Sequence, residues 1–177
     1  IDLKGIITVL NTPFTADDKI DINSLKKNVD YAIESGVKGF LVPAMASEVD
    51  KLTEDERELM VATVLNEARG RVTVIGGTSA PTQEKRLQAA ENLINLGCEG
   101  ILVKIPYENE DEYERNISEI AELNPEFLMI QDWDFSGYGL PEELIVRLFK
   151  KIDVFKCLKI ETVPAGVKYS SILKATE

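Results

Sequence analysis

Gly97-Cys98-Glu99-Gly100-Ile101-Leu102-Val103 closes a helical pattern on one glycine and opens an uninterrupted apolar run on a second. The same device stands earlier in the chain as Gly36-Val37-Lys38-Gly39-Phe40-Leu41-Val42. A glycine just past a helix accepts the left-handed backbone that ends it. A short apolar run bounded by turn signals suits a strand covered on both faces. Working outward, six runs of this kind are found: Gly5–Leu10, Gly39–Pro43, Val72–Gly76, Gly100–Lys104, Phe127–Gln131 and Phe155–Ile160. Their starts recur at about 30 residues, the size of one βαβ unit. Between them, Thr53 and Glu56 form a T-x-x-E capping box ahead of an apolar-periodic stretch running towards Gly70, and Thr82 opens a helix that ends at Gly97. Strands that are apolar throughout, rather than alternating, belong to parallel sheets covered by helices. The class is α/β.

Two architectures fit this pattern, a doubly wound open sheet and a (β/α)8 barrel. No G-x-G-x-x-G phosphate fingerprint follows the first strand. Gly76-Gly77-Thr78-Ser79, after the third, reads as a tight turn leaving a strand.

The chain has 177 residues, 44% hydrophobic and 29% charged, a composition that predicts one globular domain over residues 1–177. No run approaches the roughly 20 apolar residues that a bilayer span requires. The start, Ile1-Asp2-Leu3-Lys4, lacks the basic and apolar regions of a signal peptide, so a cytoplasmic protein with no membrane partner is expected. The net charge of −11 is spread over helical surfaces, which argues against a nucleic-acid partner. There is no histidine, which removes Ser-His-Asp and Cys-His chemistry and the commonest metal ligand together. No metal site and no cofactor are expected. Cys98 and Cys157 lie in apolar contexts without C-x-x-C spacing and read as small buried hydrophobes.

One residue conflicts with its surroundings. Lys159 lies inside Phe155-Lys156-Cys157-Leu158-Lys159-Ile160, where an ammonium is not easily accommodated. A lysine here either snorkels at the strand end or has its charged form disfavoured by burial. The second case prepares an amine for attack on a carbonyl and Schiff-base formation.

With these pieces in place, the chain resembles a known family. Ile7-Thr8-Val9-Leu10-Asn11-Thr12-Pro13-Phe14, Ile20-Asp21, Gly36-Val37-Lys38-Gly39, Leu52-Thr53-Glu54-Asp55-Glu56-Arg57, Gly70-Arg71-Val72 and Ile105-Pro106-Tyr107 stand in the order seen in the dihydrodipicolinate synthase and N-acetylneuraminate lyase family. The resemblance covers nearly the whole chain. It ends on Lys159 at the sixth strand, where that family carries its Schiff-base lysine. It implies a (β/α)8 barrel with the lysine at the C-terminal mouth. It also implies a lyase acting through an imine on pyruvate or a related 2-keto acid, by aldol cleavage, condensation or dehydration. The implied partner is the small 2-keto acid itself.

The departures from that family define a divergent branch. Its Gly-Thr-Thr-Gly-Glu after the second strand is replaced by Ala44-Met45-Ala46-Ser47-Glu48, so both threonine hydroxyls are gone. The amides of Ala46 and Ser47 remain as donors for a substrate carboxylate, and Met45 is placed to narrow the pocket. At the end of the fifth strand the family's general acid-base tyrosine is replaced by Gln131, whose amide holds a water or a substrate oxygen. Acid-base work then falls to a carboxylate or a bound water, with Asp132 the nearest carboxylate and Glu161 and Glu108 behind it. Ser136 stands where dihydrodipicolinate synthases carry an arginine. Tyr107 matches the first tyrosine of the family's Pro-Tyr-Tyr, with Glu108 in place of the second. The expected catalytic residues are Lys159 and Gln131, and the expected substrate contacts are Met45, Ala46, Ser47, Tyr107 and Asp132.

The fold implies eight βα units and about 250 residues, whereas the chain offers six strands, with Tyr169–Glu177 beginning a sixth helix. Six units without the last two leave unpaired strand edges. The expectation is therefore either a fragment of a longer protein or completion by another copy, a homo-oligomer. A non-catalytic keto-acid-binding relative and an unrelated isomerase or phosphate-binding barrel are the competing readings.

Overall fold

The computed structural model describes residues 3–177. Ile1 and Asp2, which enter the expectation of no leader, lie outside the described residues. Six strands alternate with six helices: β1 (Ile7–Val9), α1 (Ile22–Glu34), β2 (Gly39–Val42), α2 (Glu54–Ala68), β3 (Thr73–Gly77), α3 (Gln83–Leu96), β4 (Gly100–Val103), α4 (Glu110–Ala121), β5 (Phe127–Asp134), α5 (Glu142–Lys151), β6 (Phe155–Thr162) and α6 (Ala165–Thr176). The strands lie in sequence order and every pair is parallel. This is the arrangement of consecutive βα units in a barrel wall, and a doubly wound sheet, whose strand order reverses, is excluded.

The sheet separates two apolar layers. Phe40, Val42, Val74, Ile101, Val103, Leu128 and Ile130 face the helices, with Leu25, Val64, Ala90, Ile117 and Leu148 packed against them. Leu41, Ile75, Leu102, Phe127 and Met129 form a second cluster on the inner face, joined by Ile7, Val9 and Cys157. Burial on both faces is what an unbroken apolar strand foretells.

The helix-exit device works through both of its glycines. Gly97 caps α3 at φ +105°, a conformation that only glycine adopts without strain. A side chain at Gly100 would collide with the ring of Phe127, which plugs the inner layer. Side-chain caps start the first four helices, whereas α5 and α6 begin after Pro141 and Pro164 without one. Asp21 accepts from Ser24 N at 3.0 Å, and the Thr53 and Glu56 box closes in both directions, Glu56 N to Thr53 Oγ1 at 3.3 Å and Thr53 N to Glu56 Oε2 at 2.9 Å.

Strands β5 and β6 run further than their apolar cores, to Asp134 and Thr162, and pair along almost their whole length. The polar ends are therefore held as strand and project rigidly beyond the apolar layer. Among the described residues no helix is long and apolar enough to cross a membrane.

Candidate active site

Strand register assembles the site. Val103 stands opposite Ile130 and Gln131 opposite Lys159, so Lys104, just past β4, forms one row with Gln131 and Lys159 in the C-terminal halves of β5 and β6. All three continue the inner-face alternation of Leu102, Met129 and Cys157. One step nearer the rim, Trp133 stands opposite Glu161 on the same face. Parallel strands lie about 4.8 Å apart, which sets the Lys104 and Lys159 backbones about 10 Å from each other.

Lys159 ends in an ion pair with Glu161, and its side chain is 25% exposed. Gln131 Nε2 donates to the same Glu161 Oε2 at 2.5 Å. The expectation of an amine sheathed in apolar side chains is thus corrected: its near neighbour is a carboxylate. Burial raises the pKa of Glu161, but the hydrogen bonds from Lys159 and Gln131 and the charges of Lys159 and Lys104 outweigh it. The carboxyl is held below its ordinary range.

On the other side of Gln131, Lys104 Nζ lies 3.5 Å from the centroid of the Trp133 ring. Lys104 and Gln131 separate two clefts. The smaller, about 120 Å³, is bounded by Ala44, Met45 and Asp50 from the β2–α2 loop and by Thr78 and Ser79 after β3. The larger, about 390 Å³, is bounded by Pro106 and Tyr107 after β4 and by Trp133 and Asp134 of β5.

The expected residues divide. Gln131 and Lys159 stand side by side, Gln131 lining both clefts and Lys159 neither, while Met45 borders the smaller cleft and Tyr107 the larger. Met45 is largely exposed at the rim, and the Tyr107 ring meets Tyr113 edge-on at 5.9 Å. Ala46 is exposed in the Met45–Ser47 turn and borders neither cleft. Ser47 does not offer its amide to the site. Its N–H donates to Ala44 O at 2.9 Å, its hydroxyl donates to Leu10 O at 2.5 Å and accepts from Ala44 N at 3.0 Å, and its carbonyl accepts from Thr12 Oγ1 at 2.6 Å. It pins the loops after β1 and β2 together. Asp132 is likewise committed elsewhere, because strand alternation turns it away from Gln131 into the wall. There, 1% exposed, it pairs with the fully buried Lys168 at 2.5 Å and accepts from Leu140 N at 2.9 Å. Glu108 is exposed in the β4–α4 loop. Of the three carboxylates considered, Glu161 alone meets the lysine.

Two residues with roles here escaped the sequence reading. Lys104 ends an apolar run just as Lys159 interrupts one, so the same signal was present. Lys168 falls on the stripe of α6 between Ala165 and Ile172, at spacings of three and four, where an apolar residue belongs. Cys98 is buried, and its thiol is pushed up to about 12 by desolvation and the charge of Glu99, in keeping with a packing role. Among the described residues no cluster of three or more Cys, Asp or Glu side chains is placed to hold a metal ion.

Comparison with known proteins gives a consistent answer. The profile described as "Dihydrodipicolinate synthetase family" matches residues 2–162. A 4-hydroxy-tetrahydrodipicolinate synthase of Methanococcus maripaludis is 29% identical over 175 residues, covering 97% of this chain and 60% of that protein. An L-2-keto-3-deoxyarabonate dehydratase of Azospirillum brasilense is 27% identical over 180 residues, covering 97% of this chain and 57% of its own. A crystal structure of a dihydrodipicolinate synthase superposes with a TM-score of 0.89 at 20% identity, covering 98% of this chain and 61% of that one. The chain spans about 60% of the length of these relatives.

Proposed function

This chain belongs to the dihydrodipicolinate synthetase family, and from that premise we propose that it carries the imine-forming part of a lyase acting on pyruvate or a related 2-keto acid through Lys159. The observation that supports the reading is the contact of Lys159, on the inner face in the C-terminal half of β6, with a carboxylate that also accepts from Gln131. Active sites of this fold occupy that face.

In this reading a minor, transient transfer of a proton from the Lys159 ammonium to Glu161, against the balance that the ion pair favours, frees the amine to bond to C2 of the keto acid. The carbonyl oxygen, protonated in turn, leaves as water, and the imine nitrogen retains one proton. Withdrawal of electrons by that iminium acidifies C3, so that a proton leaves C3 to give the enamine, or a bond one carbon further along breaks or forms. Glu161 is placed to exchange these protons in the absence of the family's tyrosine. Gln131, whose amide orients Glu161, keeps that carboxylate turned towards the lysine. The relatives act as a synthase and as a dehydratase, so both condensation and dehydration are compatible with the branch. The protein would work in the cytoplasm as a homo-oligomer without a cofactor.

A binding-only relative is the second reading, favoured by Gln131 in the tyrosine position. Borohydride reduction in the presence of pyruvate, followed by peptide mass spectrometry, decides between them. An adduct on Lys159 that vanishes in Lys159→Ala supports the lyase. Trapping that persists in the alanine variant sinks the lysine assignment, and absence of any adduct favours the binding protein.

A further inference from the structure

Lys104 holds a position that the imine chemistry does not use. Among the described residues it forms no ion pair, yet it stands on the inner face, in the row with Gln131 and Lys159. Its ammonium lies over the Trp133 ring, although the residue as a whole is exposed. The acids around it are occupied or set apart. Glu161 is shared by Lys159 and Gln131. Asp134 accepts from Ser136 N at 2.9 Å and Ser136 Oγ at 2.8 Å through one oxygen, and from Gly139 N at 3.2 Å through the other. Asp132 is paired with Lys168, and Asp50 stands across the smaller cleft. A positioned cation that lines both clefts and is tied into no ion pair can receive an anion, although the charge of Glu161 already acts on it.

We propose that Lys104 is a specificity-determining residue that reads a second carboxylate, at the far end of the 2-keto acid bound to Lys159. The inference rests on the Schiff-base reading above. The geometry favours the distal group over the keto acid's own carboxylate. That carboxylate lies one bond from the carbon joined to Lys159, whereas Lys104 rises from a strand two places away, at about 10 Å between backbones. A five-carbon 2-oxo dicarboxylate, held at C2 by Lys159, extends along the row over Gln131 and brings its terminal carboxylate towards the Lys104 ammonium. An apolar tail of the same length would leave that cation unmatched, so the pocket selects for charge rather than size.

The test measures borohydride trapping on Lys159 against concentration for 2-oxoglutarate and for 4-methyl-2-oxopentanoate, in which an isopropyl group replaces the carboxymethyl group that ends in the distal carboxylate. The unaltered chain should reach half-saturation with 2-oxoglutarate at about tenfold lower concentration. Lys104→Gln should erase that preference by weakening 2-oxoglutarate about tenfold more than 4-methyl-2-oxopentanoate, and Lys104→Arg should retain it. Equal trapping of both acids by the unaltered chain overturns the proposal. So does equal weakening of both by Lys104→Gln, or a preference indifferent to Lys104. No adduct with either acid while pyruvate still traps on Lys159 also overturns the proposal, whereas no adduct with pyruvate either removes the Schiff-base reading, and this inference with it.

Discussion

Lys159 and Lys168 start from the same chemistry and meet opposite fates. Lys159 keeps 25% of its side chain exposed and shares its carboxylate with an amide, whereas Lys168 is fully enclosed and shares its carboxylate with backbone. The first arrangement leaves the lysine side chain partly exposed, and the second leaves it enclosed. Glu161 is the residue on which the partly exposed lysine depends. Its carboxyl is held lower in the folded chain than in the unfolded one, despite the opposing effect of burial. Such a group stabilises the fold at pH values above its unfolded pKa, and the contribution is lost as pH falls through the folded value. Urea midpoints of the unaltered chain and of Glu161→Gln should therefore differ near neutrality and converge as the solution is taken into the acid range below the ordinary glutamate value. A gap that persists unchanged in acid would show that the carboxyl is not engaged as described. On the proposed Schiff-base reading, the same variant should slow the formation of the reducible Lys159 adduct with pyruvate by about 100-fold or more, the usual scale of a lost proton transfer.

At the scale of the element, the paired glycines of the helix exit place the strands. Gly97 turns the chain out of α3 at positive φ, and Gly100 admits Phe127 beneath the sheet. Alanine at 97 costs about 1–2 kcal/mol through the left-handed backbone. Valine at 100 costs about 1–3 kcal/mol through overpacking, because the Phe127 ring has no free space to enter. Chemical denaturation of both variants checks these values, and an unchanged midpoint for Gly100→Val would mean that Phe127 does not fill the inner layer. Gly36 and Gly39 repeat the arrangement, with Gly36 at φ +90° and the carbonyl of Thr73 2.7 Å from where a Gly39 side chain would begin. The device was readable in sequence because both of its requirements are local: a left-handed turn and a small residue. The strand ends were less readable. Apolar runs stop at Gln131 and Ile160, but the backbone pairing continues through Trp133–Glu161 and Asp134–Thr162. Hydrogen bonds between two polar strand ends replace burial as the reason to stay extended.

For the molecule as a whole, the Asp132–Lys168 pair is the joint that connects layers. Lys168 Nζ reaches from α6 to Asp132 of β5 at 2.5 Å and donates to the carbonyls of Tyr138 and Leu140 at 2.5 and 2.6 Å. One buried cation thus ties a strand, the loop leaving it and the following βα unit. Lys168→Met leaves Asp132 as an uncompensated buried charge and should cost about 3–5 kcal/mol, whereas Lys168→Met with Asp132→Leu should recover part of it. A double variant no more stable than the single one in urea unfolding would show that the charge is not the source of the loss.

What the amino-acid order determined by itself is the succession of six strands and helices, their parallel sense and the singling out of Lys159. Each of these follows from local periodicity, glycine punctuation or one charge in an apolar run. Tertiary structure alone decided the partnerships: Gln131 with Glu161 thirty residues on, Asp132 with Lys168 in the wall, and Ser47 bonded to Leu10 rather than facing the site. Adjacent residues on one strand point to opposite faces, so Gln131 reaches the hollow and Asp132 the interior of the wall. Which charge meets which is then set by strand register, a relation between distant segments that no local pattern carries.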